Sequence, residues 1–161
     1  MRPLMLLAVV VLLSACATTP QRIPRMSFPE NVYQSLPKTG SGTVKGQAFL
    51  KTRGGDVKTA AGSQVILNPV TSYSLEWYEK FYLQGIRLAP SDPRMESYLK
   101  IQVADGDGRF NFKNVPPGEY FVTVMITWEA ATGYRGSLQR QGGGIVKRIK
   151  IKDGEEIDVI A

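Results

Sequence analysis

Residues 105–128, DGDGRFNFKNVPPGEYFVTVMITW, decide how this chain folds. Strict alternation puts Tyr120, Val122, Val124, Ile126 and Trp128 on one side of an extended segment, with Phe121, Thr123, Met125 and Thr127 on the other. That is the period of a strand with one face to bury. Just before it, Phe110 and Phe112 share a face opposite Asn111 and Lys113, and the Asp-Gly-Asp-Gly run supplies the positive φ angles that a tight reversal needs. The stretch therefore reads as two strands and their turn. It specifies an architecture and carries no reactive chemistry.

Working outward, residues 42–50 read as a first strand, with Val44, Ala48 and Leu50 on one face and Lys45 and Gln47 on the other. Residues 52–60 are polar and carry Gly54 and Gly55, a loop. In residues 64–68, Val65 and Leu67 face a core before Pro69 ends the strand. Residues 98–104 make a third strand with Leu99, Ile101 and Val103 turned inward. Residues 144–161 read as a hairpin, with Ile145, Ile149 and Ile151 before the Asp153-Gly154 turn and Ile157 and Val159 after it. About seven short strands with regular turn signals and little helix indicate an all-β, two-sheet antiparallel sandwich.

Two segments interrupt the pattern. Residues 70–97 contain TSYSLEWYEKFYLQG, where Leu75, Tyr78 and Tyr82 recur at helical spacing and Glu76 and Lys80 form a favourable i,i+4 pair. A short helix is the expectation, with strand as the alternative because Tyr73, Leu75 and Trp77 also alternate. Residues 129–143, rich in Gly and Gln and carrying Arg135 and Arg140, read as a mobile loop.

The start of the chain is a targeting segment. Arg2 followed by an apolar run over residues 4–13 is a charged region and a short hydrophobic region, too short to span a bilayer, which takes about 20 residues. Leu13-Ser14-Ala15-Cys16 resembles the lipobox of bacterial lipoproteins. By that resemblance residues 1–15 are removed, and Cys16, the chain's one cysteine, becomes a lipidated N-terminus inserted in a membrane. Ala17 resembles the sorting residue of the outer-membrane class in Gram-negative bacteria. Residues 16–41 then read as a Pro-rich tether, with Pro20, Pro24, Pro29 and Pro37, reaching about 75 Å at ~3.1 Å per residue if fully extended. Phe28, Val32, Tyr33 and Leu36 are too apolar for a pure spacer and are expected to lie against the domain.

The 161 residues suit one domain with a core, at 43% hydrophobic and 21% charged. The formal net charge of +6 falls to +5 when Arg2 leaves with the signal segment. Export and anchoring turn this charge away from nucleic acid and toward a solvated surface or anionic envelope polymers.

Gly42-Thr43-Val44-Lys45-Gly46, Ala61-Gly62-Ser63-Gln64-Val65-Ile66-Leu67, the 105–108 turn leading to Phe110 and Phe112, and Val115-Pro116-Pro117-Gly118-Glu119-Tyr120 together resemble the carboxypeptidase regulatory-like domain. The resemblance covers residues 42–161 and implies a transthyretin-like (prealbumin-like) sandwich. The Pro-Pro-Gly-x-Tyr corner is its most specific mark, and the chain departs from the family over residues 70–97, where the usual connection is much shorter. In metallocarboxypeptidases such a domain accompanies a separate catalytic domain whose zinc ligands include histidines; here there is no histidine.

Without His, and with its only thiol lipidated, the chain lacks most nucleophile–base pairs and the common zinc sites, so a non-enzyme with no cofactor and no metal is expected. Asp105 and Asp107 begin something like a calcium loop, but Arg109 occupies the next ligand position and no acidic residue closes it. The candidate partner-binding residues are Tyr73, Trp77, Tyr78, Phe81 and Tyr82, five aromatics in ten residues. The leading expectation is a lipid-anchored envelope protein whose sandwich is a structural or protein-docking module. The alternative is a carbohydrate- or peptidoglycan-binding lipoprotein using the aromatic insertion.

Overall fold

The computed structural model describes residues 21–133 and 136–161. The signal segment, the lipidation of Cys16 and the sorting role of Ala17 lie outside the described residues.

The chain is an all-β sandwich. Its strands among the described residues are β1 (Gly42–Gln47), β2 (Phe49–Lys51), β3 (Val57–Thr59), β4 (Gln64–Pro69), β5 (Lys100–Val103), β6 (Arg109–Val115), β7 (Gly118–Ala131), β8 (Leu138–Ile151) and β9 (Glu156–Ile160). One sheet has the order β6-β1-β9, the facing sheet β5-β4-β7-β8, and β2-β3 is a small hairpin beside them. Between the two large sheets lie Val44, Val65, Leu67, Phe110, Phe112, Val115, Val122, Val124, Ile126, Ile151 and Val159. The alternation over 120–128 thus faces the core as the sequence implies, with Trp128 packed at its margin. At the Pro-Pro-Gly corner the Tyr120 hydroxyl donates to the Pro116 carbonyl at 3.0 Å, tying the reversal to the strand that leaves it.

Residues 52–60, read as a loop, contain β3, which pairs with β2. Four further expectations change. First, Ile101 and Val103 face solvent, 51% and 65% exposed. β5 pairs with β4 so that Ile101 lies opposite Ile66 and Val103 opposite Gln64, and paired residues share a face. Since Val65 and Leu67 hold the inner face of β4, the intervening partners point outward, a one-residue register consequence. The inward residue is Gln102, whose amide accepts from the Asn111 N–H at 3.0 Å and donates to the Asn111 carbonyl at 2.8 Å, lacing β5 to the edge of the other sheet.

Second, residues 144–161 are not a hairpin. After the Asp153-Gly154 turn the chain crosses between sheets, and β9 pairs with β1 in parallel, from Thr43 opposite Glu156 to Gln47 opposite Ile160. Ser41 secures this crossing, its N–H and hydroxyl both donating to Asp153 Oδ1 at 2.9 and 3.0 Å. The β1–β9 approach depends on Gly46, where an added Cβ would lie 2.0 Å from the Val159 carbonyl oxygen. Gly46→Ala is therefore expected to lower stability by about 1–3 kcal/mol, as overpacking does, read as a lower urea midpoint. An unchanged midpoint would mean that β9 is not held there.

Third, residues 129–143 are mostly strand. β7 and β8 pair continuously from Gly118 opposite Ile151 to Ala131 opposite Leu138, so beyond β4's last partner, Val124, they project as a two-stranded ribbon. Gly142 and Gly143, two of the glycines that suggested a loop, are ladder positions opposite Thr127 and Ile126.

Fourth, the docking of the segment before Gly42, expected for residues 28–36, begins earlier than that, at Ile23. Ile23 forms a parallel bridge with Leu88, donating to the Arg87 carbonyl at 2.9 Å and accepting from Ala89 N–H at 2.8 Å. α1 (Glu30–Gln34) buries Tyr33 completely. A reach of 75 Å is thus ruled out.

Candidate functional site

The outer face of the β5-β4-β7-β8 sheet is partly covered by a third layer built from the first described residues and the insertion. α2 (Ser72–Glu76) begins at Thr71, which caps it: the Thr71 hydroxyl oxygen accepts from Ser74 N–H and the Ser74 hydroxyl oxygen accepts from Thr71 N–H. The same Thr71 hydroxyl donates to the buried Tyr33 hydroxyl at 3.0 Å, so the cap of α2 is tied to α1. Burial raises the pKa of Tyr33, which stays a neutral phenol. Phe28 stacks on Tyr33 at 4.6 Å and meets Tyr73 edge-on at 5.5 Å, and Tyr98 tilts against Tyr33 at 4.9 Å, forming a second, aromatic core.

The helix then widens. Trp77–Leu83 is π-helical, a form concentrated at functional positions, and Gly85 ends it at φ +70°. The wider turn brings residues four and five ahead against the same ring: Trp77 lies near-parallel to Phe81 at 6.1 Å and to Tyr82 at 6.2 Å. Tyr78 stacks on Phe121 at 4.8 Å and on Tyr82 at 5.5 Å. Phe121, although on the outer face of β7, is thereby fully buried.

The five candidate aromatics therefore divide. Tyr73 is 2% exposed and does not reach a partner directly, because its ring is clamped between Phe28 and the Arg25 guanidinium, 3.8 Å from the ring centroid. Tyr78 is half-buried as the anchor on Phe121. Trp77, Phe81 and Tyr82 form a shelf, with Phe81 45% and Tyr82 36% exposed.

Beside the shelf is a cavity of about 180 Å³, walled by Ile66, Asn68 and Thr123 of the sheet, by Trp77, and by Arg25 and Ser91. Sequence reasoning missed Arg25 and Asn68, and of Glu76 gave only its pair with Lys80, which forms at 2.9 Å. Asn68 carried a signal, a polar side chain inside the apolar run before Pro69; Arg25 carried none. Arg25 donates from Nη2 to the Tyr73 carbonyl at 2.8 Å, and its Nε lies 3.6 Å from Glu76 Oε2. Burial alone would raise the Glu76 pKa. Hydrogen bonds from Lys80 and the Met26 N–H, with the charges of Lys80 and Arg25, outweigh it and hold the carboxyl below its ordinary range.

Asp92, held by Arg94, is likewise lowered, to about 2. Both folded-state values are depressed, so the stability they contribute is present above the unfolded carboxylate range near pH ~4 and is lost as pH falls through the folded values. Thermal melts should give a flat Tm down to about pH 5 and a decline toward pH ~2, which Glu76→Gln makes shallower. A Tm that rises on acidification would contradict this assignment.

A solved structure of a candidate carbohydrate-binding protein from Pseudomonas aeruginosa is similar to this chain, with a TM-score of 0.74 and 26% identity over 84% of this chain and 97% of that one. The two share a fold. That coverage exceeds what residues 42–161 supply, so the likeness reaches into the segment before Gly42. No protein-family model and no curated protein matches the sequence.

Elsewhere the side chains serve structure. Asp105 Oδ1 accepts from the N–H groups of Asp107 and Arg109 at 2.9 and 2.8 Å, shaping the turn, and Arg109 pairs with Asp107. A groove of about 790 Å³ on the outer face of β6-β1-β9 is lined by Lys45, Arg109 and Asp158 among others. There Lys45 pairs with Glu156 and Arg109 with Asp107, so its cations are already matched. No group of three or more His, Cys, Asp or Glu residues placed to hold a metal occurs among the described residues, and no described helix is long and apolar enough to cross a membrane.

Proposed function

We propose that this is a non-enzymatic glycan-binding lipoprotein of the cell envelope, anchored through Cys16 in the outer membrane of a Gram-negative bacterium. Its ligand lies on the aromatic shelf. The observation that carries this reading is the row of near-parallel rings, a half-buried Trp77 with exposed Phe81 and Tyr82, on a π-helical turn beside a small, largely apolar cavity. Flat apolar faces with a few fixed polar groups suit the alternating apolar faces and hydroxyl edges of sugars. Support also comes from the Pseudomonas aeruginosa neighbour, whose description is that of a candidate carbohydrate-binding protein. The protein's own part is binding and orientation, without cofactor or metal. A glycan array probed with the full chain, together with a peptidoglycan pull-down, tests the reading: saturable binding to a glycan class is expected, and no binding to any glycan or to peptidoglycan would end it.

A second reading, docking to an envelope protein, is favoured by one observation: Ile101 and Val103 on the edge strand β5 and Met125 on β7 stand 51%, 65% and 60% exposed on the uncovered part of the outer sheet face. Photocrosslinking from position 103 in native membranes is expected to give one discrete adduct if this face is occupied. Recovery of the uncrosslinked chain alone would argue against it.

A further inference from the structure

Two of the residues that line the cavity beside the shelf each carry a buried polar atom, Arg25 Nε and Asn68 Oδ1, without a hydrogen-bond partner among the described residues. The Arg25 side chain is 7% exposed and Asn68 is 9% exposed. The 3.6 Å from Nε to Glu76 Oε2 makes an ion pair but is too long for a hydrogen bond. An orphan of this kind is costly, and folded proteins keep few of them. Both side chains line one cavity, and one orphan is a donor and the other an acceptor, which describes the complement they would take.

We infer that this cavity takes a single uncharged sugar ring, whose hydroxyl or acetamido group accepts from Arg25 Nε and donates to Asn68 Oδ1. This rests on the glycan reading and deepens it. A hydroxyl or an amide both donates and accepts; a carboxylate or phosphate only accepts and would set its lone pairs against Asn68 Oδ1, and an ammonium only donates and would face Arg25. The volume of about 180 Å³ falls below the roughly 300–1,000 Å³ of sites for drug-sized ligands, so one ring enters and a chain does not. Trp77 belongs to both the cavity wall and the aromatic row. A glycan lying along the row thus places its terminal ring in the cavity.

The test titrates the full chain with methyl glucoside, galactoside, mannoside, N-acetylglucosaminide and glucuronide, reading tryptophan fluorescence and Tm. At least one neutral glycoside should bind with saturation, and Asn68→Leu should weaken it about tenfold or more, as loss of one hydrogen bond to a buried partner does. Asn68→Leu without ligand should melt at or above the wild-type temperature, because it replaces an unanswered acceptor by an apolar group of similar size. Saturation by the glucoside or by the N-acetylglucosaminide distinguishes a hydroxyl from an acetamido group. Tighter binding of the glucuronide than of every neutral glycoside, or neutral binding unchanged by Asn68→Leu, overturns the inference. If longer glycans bind and no single-ring probe does, the cavity assignment falls while the glycan reading stands; if nothing binds, both fall.

Discussion

Tyr33→Ala should destabilise the protein by about 3–5 kcal/mol, the range for deleting a fully buried large aromatic side chain. Tyr33 has no exposed surface, packs between Phe28 and Tyr98, and its hydroxyl accepts from the Thr71 hydroxyl that caps α2. The substitution removes ring contacts and loosens the start of the insertion together. Tyr33→Phe keeps the rings and loses only the hydroxyl contact, for about 1 kcal/mol. Urea unfolding of both variants separates the two contributions. A loss below 1 kcal/mol for Tyr33→Ala would return residues 21–41 to the status of a spacer.

Trp77→Ala should weaken glycan binding on the order of a hundredfold, since central aromatic anchors contribute about 2–4 kcal/mol and each 1.4 kcal/mol is tenfold. Its ring is the one that Phe81 and Tyr82 both flank, so removing it breaks the row at its middle. Stability should fall far less, because Trp77 is only half-buried. Phe81→Ala, at the end of the row, should weaken binding less than Trp77→Ala. Tyr78→Ala should reverse the pattern and lower Tm more than affinity, because Tyr78 covers Phe121. Isothermal titration with an array-positive glycan, run beside thermal melts, reads all three. Wild-type affinity in Trp77→Ala would remove the shelf from the site.

The sandwich was legible because burial on one face enforces a period of two, which residues 120–128 follow except at Phe121, buried on the outer face beneath Tyr78. Pairing was less legible. Nothing within residues 98–104 says which neighbour the strand meets, so Ile101 and Val103 looked like core until β4 fixed their face. The same limit explains β9: Asp153-Gly154 gives a reversal, but its outcome, a hairpin or a crossing to β1, is set by long-range pairing. Over residues 129–143, glycines that usually mark loops are ladder residues because larger side chains lie opposite them. The aromatic cluster was visible as composition. Its division into a buried Tyr73, an anchoring Tyr78 and an open Trp77, Phe81 and Tyr82 came from partners in residues 21–41 and from a π-helical turn that no spacing announces. Arg25, within what read as a tether, was hidden for that reason.

The Ile23–Leu88 bridge also sets a leash. Seven peptide steps separate Cys16 from Ile23, a span of at most about 25 Å even when drawn taut. A chain fastened to lipid at Cys16 would carry the shelf and its cavity close to the headgroups, on the layer from which the leash departs. It would meet ligands that come to the membrane surface and would be unable to search the space beyond.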